Sequence, residues 1–425
     1  FAQPAVDQCQ VQPHRLGWPG HQFILLHHGE RVAPALLLVR MCAVPQGANP
    51  LTEMIHAEIG DDGPMPFARF MELALYHPEL GYYTRASQRS GRAGDFFTSV
   101  DVGTLFGQLL AVQFEEMWSL VNQSAKEEPR FDIVEAGAGN GRLSRDVLSA
   151  ASLVPSFYDS IRLHLVERSI NARSEQPAVL GTHIDKLVYS NDELPHAIRG
   201  VIFANELLDA FPVHRVTMTA DGLREIRVDA DGDRLVERLQ PVQTPTLLKY
   251  LDKLEVTLPI NSSAEINLLA LDWVQTAANQ LHEGFIVLID YGHDALQLYG
   301  SAQRHGTLAA YRQHVQAPSR ALWLNEPGDW DLTSHVDLTS LTRCAEHCGL
   351  LCLGSLDQTY FLLGLGSANI LSSQPDNSLD ELKQRLAAKT LFMPGGLGST
   401  HKVLVFAKGV GSPALRGCSH GTRLT

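Results

Sequence analysis

FDIVEAGAGNGR, residues 131–142, decides the reading of this chain. Phe131 to Glu135 is a short apolar run ending in an acid, and Gly137, Gly139 and Gly141 follow at alternate positions. Glycine is needed where a chain turns sharply from strand to helix and a ligand must approach the backbone. Leu143, Val147, Leu148 and Ala151 then give a helix face. The spacing separates two cofactors. A dinucleotide fingerprint, G-x-G-x-x-G, keeps its third glycine for close helix packing. Here Arg142 holds that place and the glycine sits one residue earlier, at Gly141. Glu135 is also better placed for an ammonium group than for a pyrophosphate. Together these favour S-adenosylmethionine, which carries an amine and a sulfonium and no phosphate.

Outward from this segment, strand and helix alternate. Ile161 to Val166 ends in Glu167, Val201 to Ala204 in Asn205, and Phe285 to Ile289 in Asp290. Strands interleaved with helical connections predict an α/β protein whose parallel sheet carries helices on both faces. Ligands bind such sheets outside the carboxyl ends of the strands. Glu167 is placed to accept ribose hydroxyls. Between the last two of these strands, Val213–Thr219, Leu223–Asp229 and Arg234–Leu239 read as short strands joined at Ala220-Asp221-Gly222 and Asp231-Gly232-Asp233. Asp-Gly is a hairpin signal, so a small antiparallel insertion is expected, either over the mouth of the sheet or as a remote flap. Upstream, Phe67 to Tyr76 reads as a helix stopped by His77-Pro78, and Leu105 to Met117 as an amphipathic one after a glycine-rich loop.

Composition sets the outer bounds. The 425 residues carry 34 Lys and Arg against 47 Asp and Glu, a net charge of −13 that argues against non-specific duplex binding. No run reaches the roughly 18 apolar residues of a membrane span. Cys344, Cys348 and Cys352 invite a metal reading, but Asp337 as N-cap and Gly349 beyond the C-terminus bracket a helix that places Cys344 and Cys348 against a core, and Cys352 falls in the apolar run after it. No other His-rich or Cys-rich stretch supplies further ligands, so no metal is expected.

The segment after Ala204 reads Asn205-Glu206-Leu207-Leu208-Asp209-Ala210-Phe211-Pro212. Glu206 and Asp209 are three apart, so one helical turn would put both carboxylates on the same side. Beside a methyl donor they suit a guanidinium, which stays protonated to a pKa above about 12 and is held by charge-assisted hydrogen bonds. YHPELGYYT (76–84), GDFFTS (94–99), LFGQLL (105–110), EAGAGNGRL (135–143), LVE (165–167), NELLDAFPVHR (205–215), IDYGH (289–293), GTLAAYRQH (306–314), LTSHVDLTSL (332–341) and LFMPGGLGSTHKVLVFAKG (391–409) occur in order. Over about residues 60–410 the chain thereby resembles the MidA-type class I methyltransferases, whose members include a mitochondrial complex I assembly factor that symmetrically dimethylates a protein arginine.

The resemblance implies a Rossmann-like, seven-stranded class I methyltransferase sheet with an N-terminal helical region and an antiparallel insertion before the fifth strand. Its implied cofactor is S-adenosyl-L-methionine, held by Glu135, Gly137, Gly139, Gly141, Glu167 and Asn205, with Gly94, Asp95 and Thr98 in a loop closing over cofactor and acceptor. Glu206 and Asp209 are the expected catalytic pair. The implied partner is a protein presenting an arginine, of the respiratory complex I subunit type. His335 and Asp337 match a further motif, with helix capping as the reading for Asp337. The family usually reads T-S-P-E-I-S where this chain has Thr98-Ser99-Val100-Asp101-Val102-Gly103, so acceptor geometry is expected to differ there.

The expected organisation is an extension over 1–53, set apart from the fold with Met54 a candidate start, then a helical lid region over 54–125. A methyltransferase core follows over 126–410, with the insertion at about 213–262, and a loose tail over 411–425. A bacterial cytoplasm is the expected compartment, with the mitochondrial matrix as alternative. Two rival functions are a non-catalytic cofactor-binding scaffold, motivated by the altered Val100-Asp101 segment, and an NAD-dependent oxidoreductase, against which Arg142 speaks.

Overall fold

The computed structural model describes residues 49–85, 99–123, 130–366, 386, 388–391 and 397–420. The main-sheet strands are β1 (Phe131–Ala136), β2 (Ile161–Val166), β3 (Leu187–Asn191), β4 (Ile198–Asn205), β5 (Leu281–His293), β6 (Leu351–Asp357) and β7 (His401–Lys408). They lie in the order β3-β2-β1-β4-β5-β7-β6, and β7 runs antiparallel to both neighbours. The chain leaves β1 toward β2 on one side and returns as β4 on the other, which opens a crevice at the carboxyl ends of β1 and β4.

Alternation along each central strand feeds two cores. Ile133, Phe285, Val287, Val403 and Val405 face one apolar cluster with helices α3 (Leu105–Asn122) and α4 (Arg142–Ala151). Val134, Ile286, Leu288, Leu404 and Phe406 face the other, with α7 (Leu268–Gln280) and α8 (Leu338–His347). Burial on both faces is why these strands read as nearly continuous apolar runs. β3 escaped the sequence reading because it is an edge strand whose side chains are largely exposed. Asp337 caps α8 by accepting from Ser340 N at 3.1 Å, and Gly349 follows with φ of +82°. Cys344, Cys348 and Cys352 pack against the α7–α8 cluster, as expected of core cysteines.

The insertion is antiparallel as expected. His214–Thr219 and Gly222–Asp231 form one hairpin, Arg234–Pro241 extends it, and Ser263–Ile266 returns to pair with the first strand. It is neither of the two structures expected for it. Helices α1 (Pro50–Asp62) and α2 (Phe67–Tyr76) pack on it through Leu51, Ile55, Phe67 and Phe70 against Val213, Val228 and Leu235, and Met65-Pro66 pairs with Arg227 and Val228. The sheet is a platform that carries these helices, and it is the helices that reach the cleft.

Two boundaries shift. The expected division at 53/54 falls inside α1, which Asn49 caps by accepting from Leu51 N at 3.0 Å. Residues 411–420 pack against the body instead of hanging loose, because Leu415 is buried and Gly417 N donates to Gln113 Oε1 at 2.9 Å. No helix among the described residues is long and apolar enough to cross a membrane.

Candidate functional site

The glycine turn joins β1 to α4. Gly137, Gly139 and Gly141 have φ of +73°, +52° and +84°, a region L side chains rarely adopt. A Cβ at Gly139 would meet nothing within 4 Å, so the backbone there borders open space. Gly139 N donates to Glu167 Oε2 at 2.8 Å and Ser169 N to Oε1 at 2.7 Å, while Gln176 Nε2 donates to Gly139 O at 2.8 Å. The carboxylate after β2 is thus fixed against the turn, and each oxygen keeps lone-pair capacity for a ligand hydroxyl. Glu135 lies on the near side, buried, with Ser144 Oγ donating to Oε2. Burial pushes its carboxyl up to about 8, against the pull of Ser144. These residues fit a nucleoside with two hydroxyls and an ammonium tail.

The acid of the altered segment serves this half. Asp101 pairs with Arg142 at the start of α4, which ties the shortened side chain to the helix that follows the cofactor turn. Gly94, Asp95 and Thr98 lie outside the described residues.

On the acceptor side, the expected helical turn over 206–209 is absent. Glu206 has φ of +51°, and only Leu208–Ala210 forms a single 3-10 turn. The cause is Asp290 at the end of β5. Its Oδ2 accepts from Leu207 N at 3.2 Å, Leu208 N at 2.8 Å and Asp209 N at 3.3 Å, folding the segment round one buried oxygen. Burial and the charge of Asp209 push Asp290 well above the usual carboxylate range. The two acids still share the cleft. Asp209 is raised to about 6, first by burial and then by Glu206, while Thr333 Oγ1 donates to its Oδ2 at 2.8 Å. Asp209 Oδ1 and Asn205 Oδ1 are buried and accept no hydrogen bond. Among the described residues, neither Glu206 nor Asp209 pairs with a Lys or Arg.

Around these acids stand residues that the sequence reading quoted without giving them a role. Tyr76 Oη donates to Ala210 O at 2.9 Å, and Tyr83 Oη to Asp331 Oδ1 at 2.9 Å. Their rings lie 5.3 Å apart, and the Arg168 guanidinium stands 5.0 Å over Tyr76. Tyr291, His293 and His335 complete the wall, and burial lowers His335 to about 4. Tyr76, Tyr83, Tyr291, His293 and His335 fall in the stretches YHPELGYYT, IDYGH and LTSHVDLTSL, while Arg168 and Asp331 each lie one residue outside a matched stretch. The motifs were visible, but their convergence was not. The cleft they share with the glycine turn encloses about 2180 Å³ and runs from Glu135 and Glu167 past Asp209 to Met54 and Arg69. Small-molecule pockets span roughly 300–1,000 Å³, so a nucleoside leaves room here for part of a second molecule.

A reversed seventh strand beside the fifth, with a glycine turn held between two strand-end acids, defines a Rossmann-like methyltransferase of class I. A family model described as "Putative S-adenosyl-L-methionine-dependent methyltransferase" matches residues 109–356, and the chain belongs to this family. The zebrafish protein arginine methyltransferase NDUFAF7, mitochondrial, is 28% identical over 82% of this chain and 85% of its own. The Drosophila melanogaster homologue is 27% identical over 86% of each. A crystal structure from Burkholderia thailandensis, bound to S-adenosyl-homocysteine, covers 88% of this chain and 96% of its own at 27% identity, with a TM-score of 0.79. The chain is therefore an S-adenosyl-L-methionine-dependent methyltransferase, and the nicotinamide and scaffold readings give way to it.

Proposed function

We propose that this enzyme methylates an arginine of a protein substrate, with Glu206 and Asp209 as the catalytic pair. The observation that carries the proposal is the pair of unpartnered buried acceptors, Asp209 Oδ1 and Asn205 Oδ1, beside Glu206 in the cleft. Buried acceptors left without a donor are costly, and a planar cation with five N–H groups is suited to satisfy them. The relatives named protein arginine methyltransferase support the same acceptor.

S-adenosyl-L-methionine, when bound, supplies a methyl group on a positively charged sulfur. Glu167 would hold the ribose hydroxyls and Glu135 the ammonium, with Gly137, Gly139 and Gly141 letting the backbone come close. Asn205, expected to hold the cofactor, stands beside Glu206 where the two halves meet, with its Oδ1 open to either ligand. Glu206 and Asp209 hold the guanidinium by charge-assisted hydrogen bonds, aim one nitrogen at the methyl, and take the proton which that nitrogen sheds as its bond to carbon forms. Most of the acceleration is positioning. Gly94, Asp95 and Thr98 belong to the same proposal as the loop that closes the site. A mitochondrial compartment, in place of the expected bacterial cytoplasm, is supported by the mitochondrial names of the relatives, and an acceptor of the respiratory complex I subunit type rests on the sequence resemblance.

Incubation with methyl-labelled cofactor and cell extract, followed by mass spectrometry of the labelled protein, tests this reading. Methyl on arginine is the expected result; methyl confined to lysine, a carboxylate or a small molecule sinks it.

A further inference from the structure

Glu206 has its two oxygens in different situations. His401, the first residue of β7, is fully buried and places Nε2 3.2 Å from Glu206 Oε1. Asn205 Nδ2 donates to the same oxygen at 3.3 Å. Oε2 has no hydrogen-bond or ion-pair partner among the described residues. His401 is itself fixed. Its ring centroid lies 4.0 Å from that of Tyr291, its cross-strand partner in the β5–β7 ladder, and Thr400 Oγ1 lies 3.3 Å from its Nδ1. Nε2 makes no aligned hydrogen bond, so its hold on Glu206 is the close polar contact with Oε1, which a proton on the imidazole would turn into an ion pair. Glu206 needs such a hold. Its backbone is in the left-handed region, and a glutamate side chain has rotamer freedom to lose before it can present one oxygen in one direction.

We propose that His401 is a positioning residue for methyl transfer: it anchors Glu206 Oε1 so that Oε2 alone faces the acceptor. The inference rests on Glu206 being the acceptor-side carboxylate. It draws on a strand almost two hundred residues downstream, whose first side chain reaches the tip of β4 only because β7 is inserted, reversed, next to β5.

The test compares Glu206→Gln, His401→Asn, His401→Gln and the double variant Glu206→Gln/His401→Asn, in kcat and KM for an arginine acceptor and in melting temperature. Asparagine keeps a polar group at the Nδ1 position but falls short of Glu206, whereas the glutamine amide reaches the Nε2 position. His401→Asn should lower kcat about 30-fold with acceptor KM within about threefold, a size set by the cost of a small misplacement. His401→Gln should restore kcat to within about fivefold of wild type, and the double variant should be no slower than Glu206→Gln alone. Wild-type kcat in His401→Asn, equal slowing by the two replacements, or multiplicative effects in the double variant would each overturn the inference. If the asparagine variant does not fold, the glutamine variant decides: near-wild-type kcat supports the anchor and a slow enzyme refutes it. A Glu206→Gln enzyme that works at full rate would instead remove the arginine-site reading itself.

Discussion

The two halves of the cleft are built in opposite ways. The cofactor half is local: Glu135, the three glycines, Ser144 and Glu167 lie within 33 positions of one another and are tied by short-range contacts such as Gly139 N to Glu167. The acceptor half is assembled from distant chain. The segment that carries Glu206 and Asp209 is shaped by Asp290, Thr333 donates to Asp209, His401 contacts Glu206, and Tyr76 holds Ala210 beside them. A nucleoside cofactor is the same molecule in every enzyme that uses it, so one turn and two acids suffice. An acceptor differs between enzymes, and its half of the site is made by loops and an insertion that the sheet merely supports.

The largest effect separates the halves outright. Glu206→Gln with Asp209→Asn should cut methyl transfer about a thousandfold, roughly 4 kcal/mol of transition-state stabilisation, while leaving cofactor affinity within about threefold. Calorimetric titration of S-adenosyl-homocysteine alongside the rate measurement checks both statements. A parallel loss of cofactor binding would show that the halves are one unit. In the other direction, Gly139→Val forces a β-branched residue to φ of +52°. The strain of about 2 kcal/mol should weaken cofactor binding about 30-fold with little change in acceptor KM. Wild-type affinity there would mean that the turn relaxes freely.

Legibility in the sequence followed the same division. β1, β2 and the apolar centres of β4, β5 and β7 were readable because each is buried on both faces and leaves a run in the sequence. The turn was readable because positive φ demands glycine at fixed places. Edge strand β3 left no such run, and the 411–420 segment looked loose because it is held by Gln113 and Glu116, about three hundred residues away. Glu206 and Asp209 were readable as a pair, but the spacing argument assumed a helix. Asp290 replaced that helix with a loop round its own oxygen, a contact across 81 to 83 positions that no local pattern encodes.

Protonation gives a finer test. Glu135 is held up to about 8 in the cleft as described, so below that pH it carries a proton. If it holds the cofactor ammonium, binding expels this proton, and affinity should rise up to about tenfold per unit as pH increases toward 8, then level off. Titrations in buffers of different ionisation enthalpy should report the released proton near neutral pH, and Glu135→Gln should abolish the slope. A flat profile in the wild type would separate Glu135 from the ammonium.

The smallest expected effect asks whether the acceptor half is tuned as well as shaped. Thr333 Oγ1 donates to Asp209 Oδ2, and this bond works against the burial and the Glu206 charge that together lift Asp209 to about 6. Thr333→Val keeps the volume and removes the donor, so Asp209 must rise further. The raised acid is protonated below its pKa and anionic above it, so the loss falls on the acid side. We expect kcat to drop about fivefold near pH 6 and by less than about twofold near pH 8, with the acid limb of the pH–rate profile displaced upward. A uniform loss at every pH would make Thr333 a packing residue. An unchanged profile would mean that Asp209 does not act as an anion in transfer, and the acceptor half would then rest on Glu206 alone.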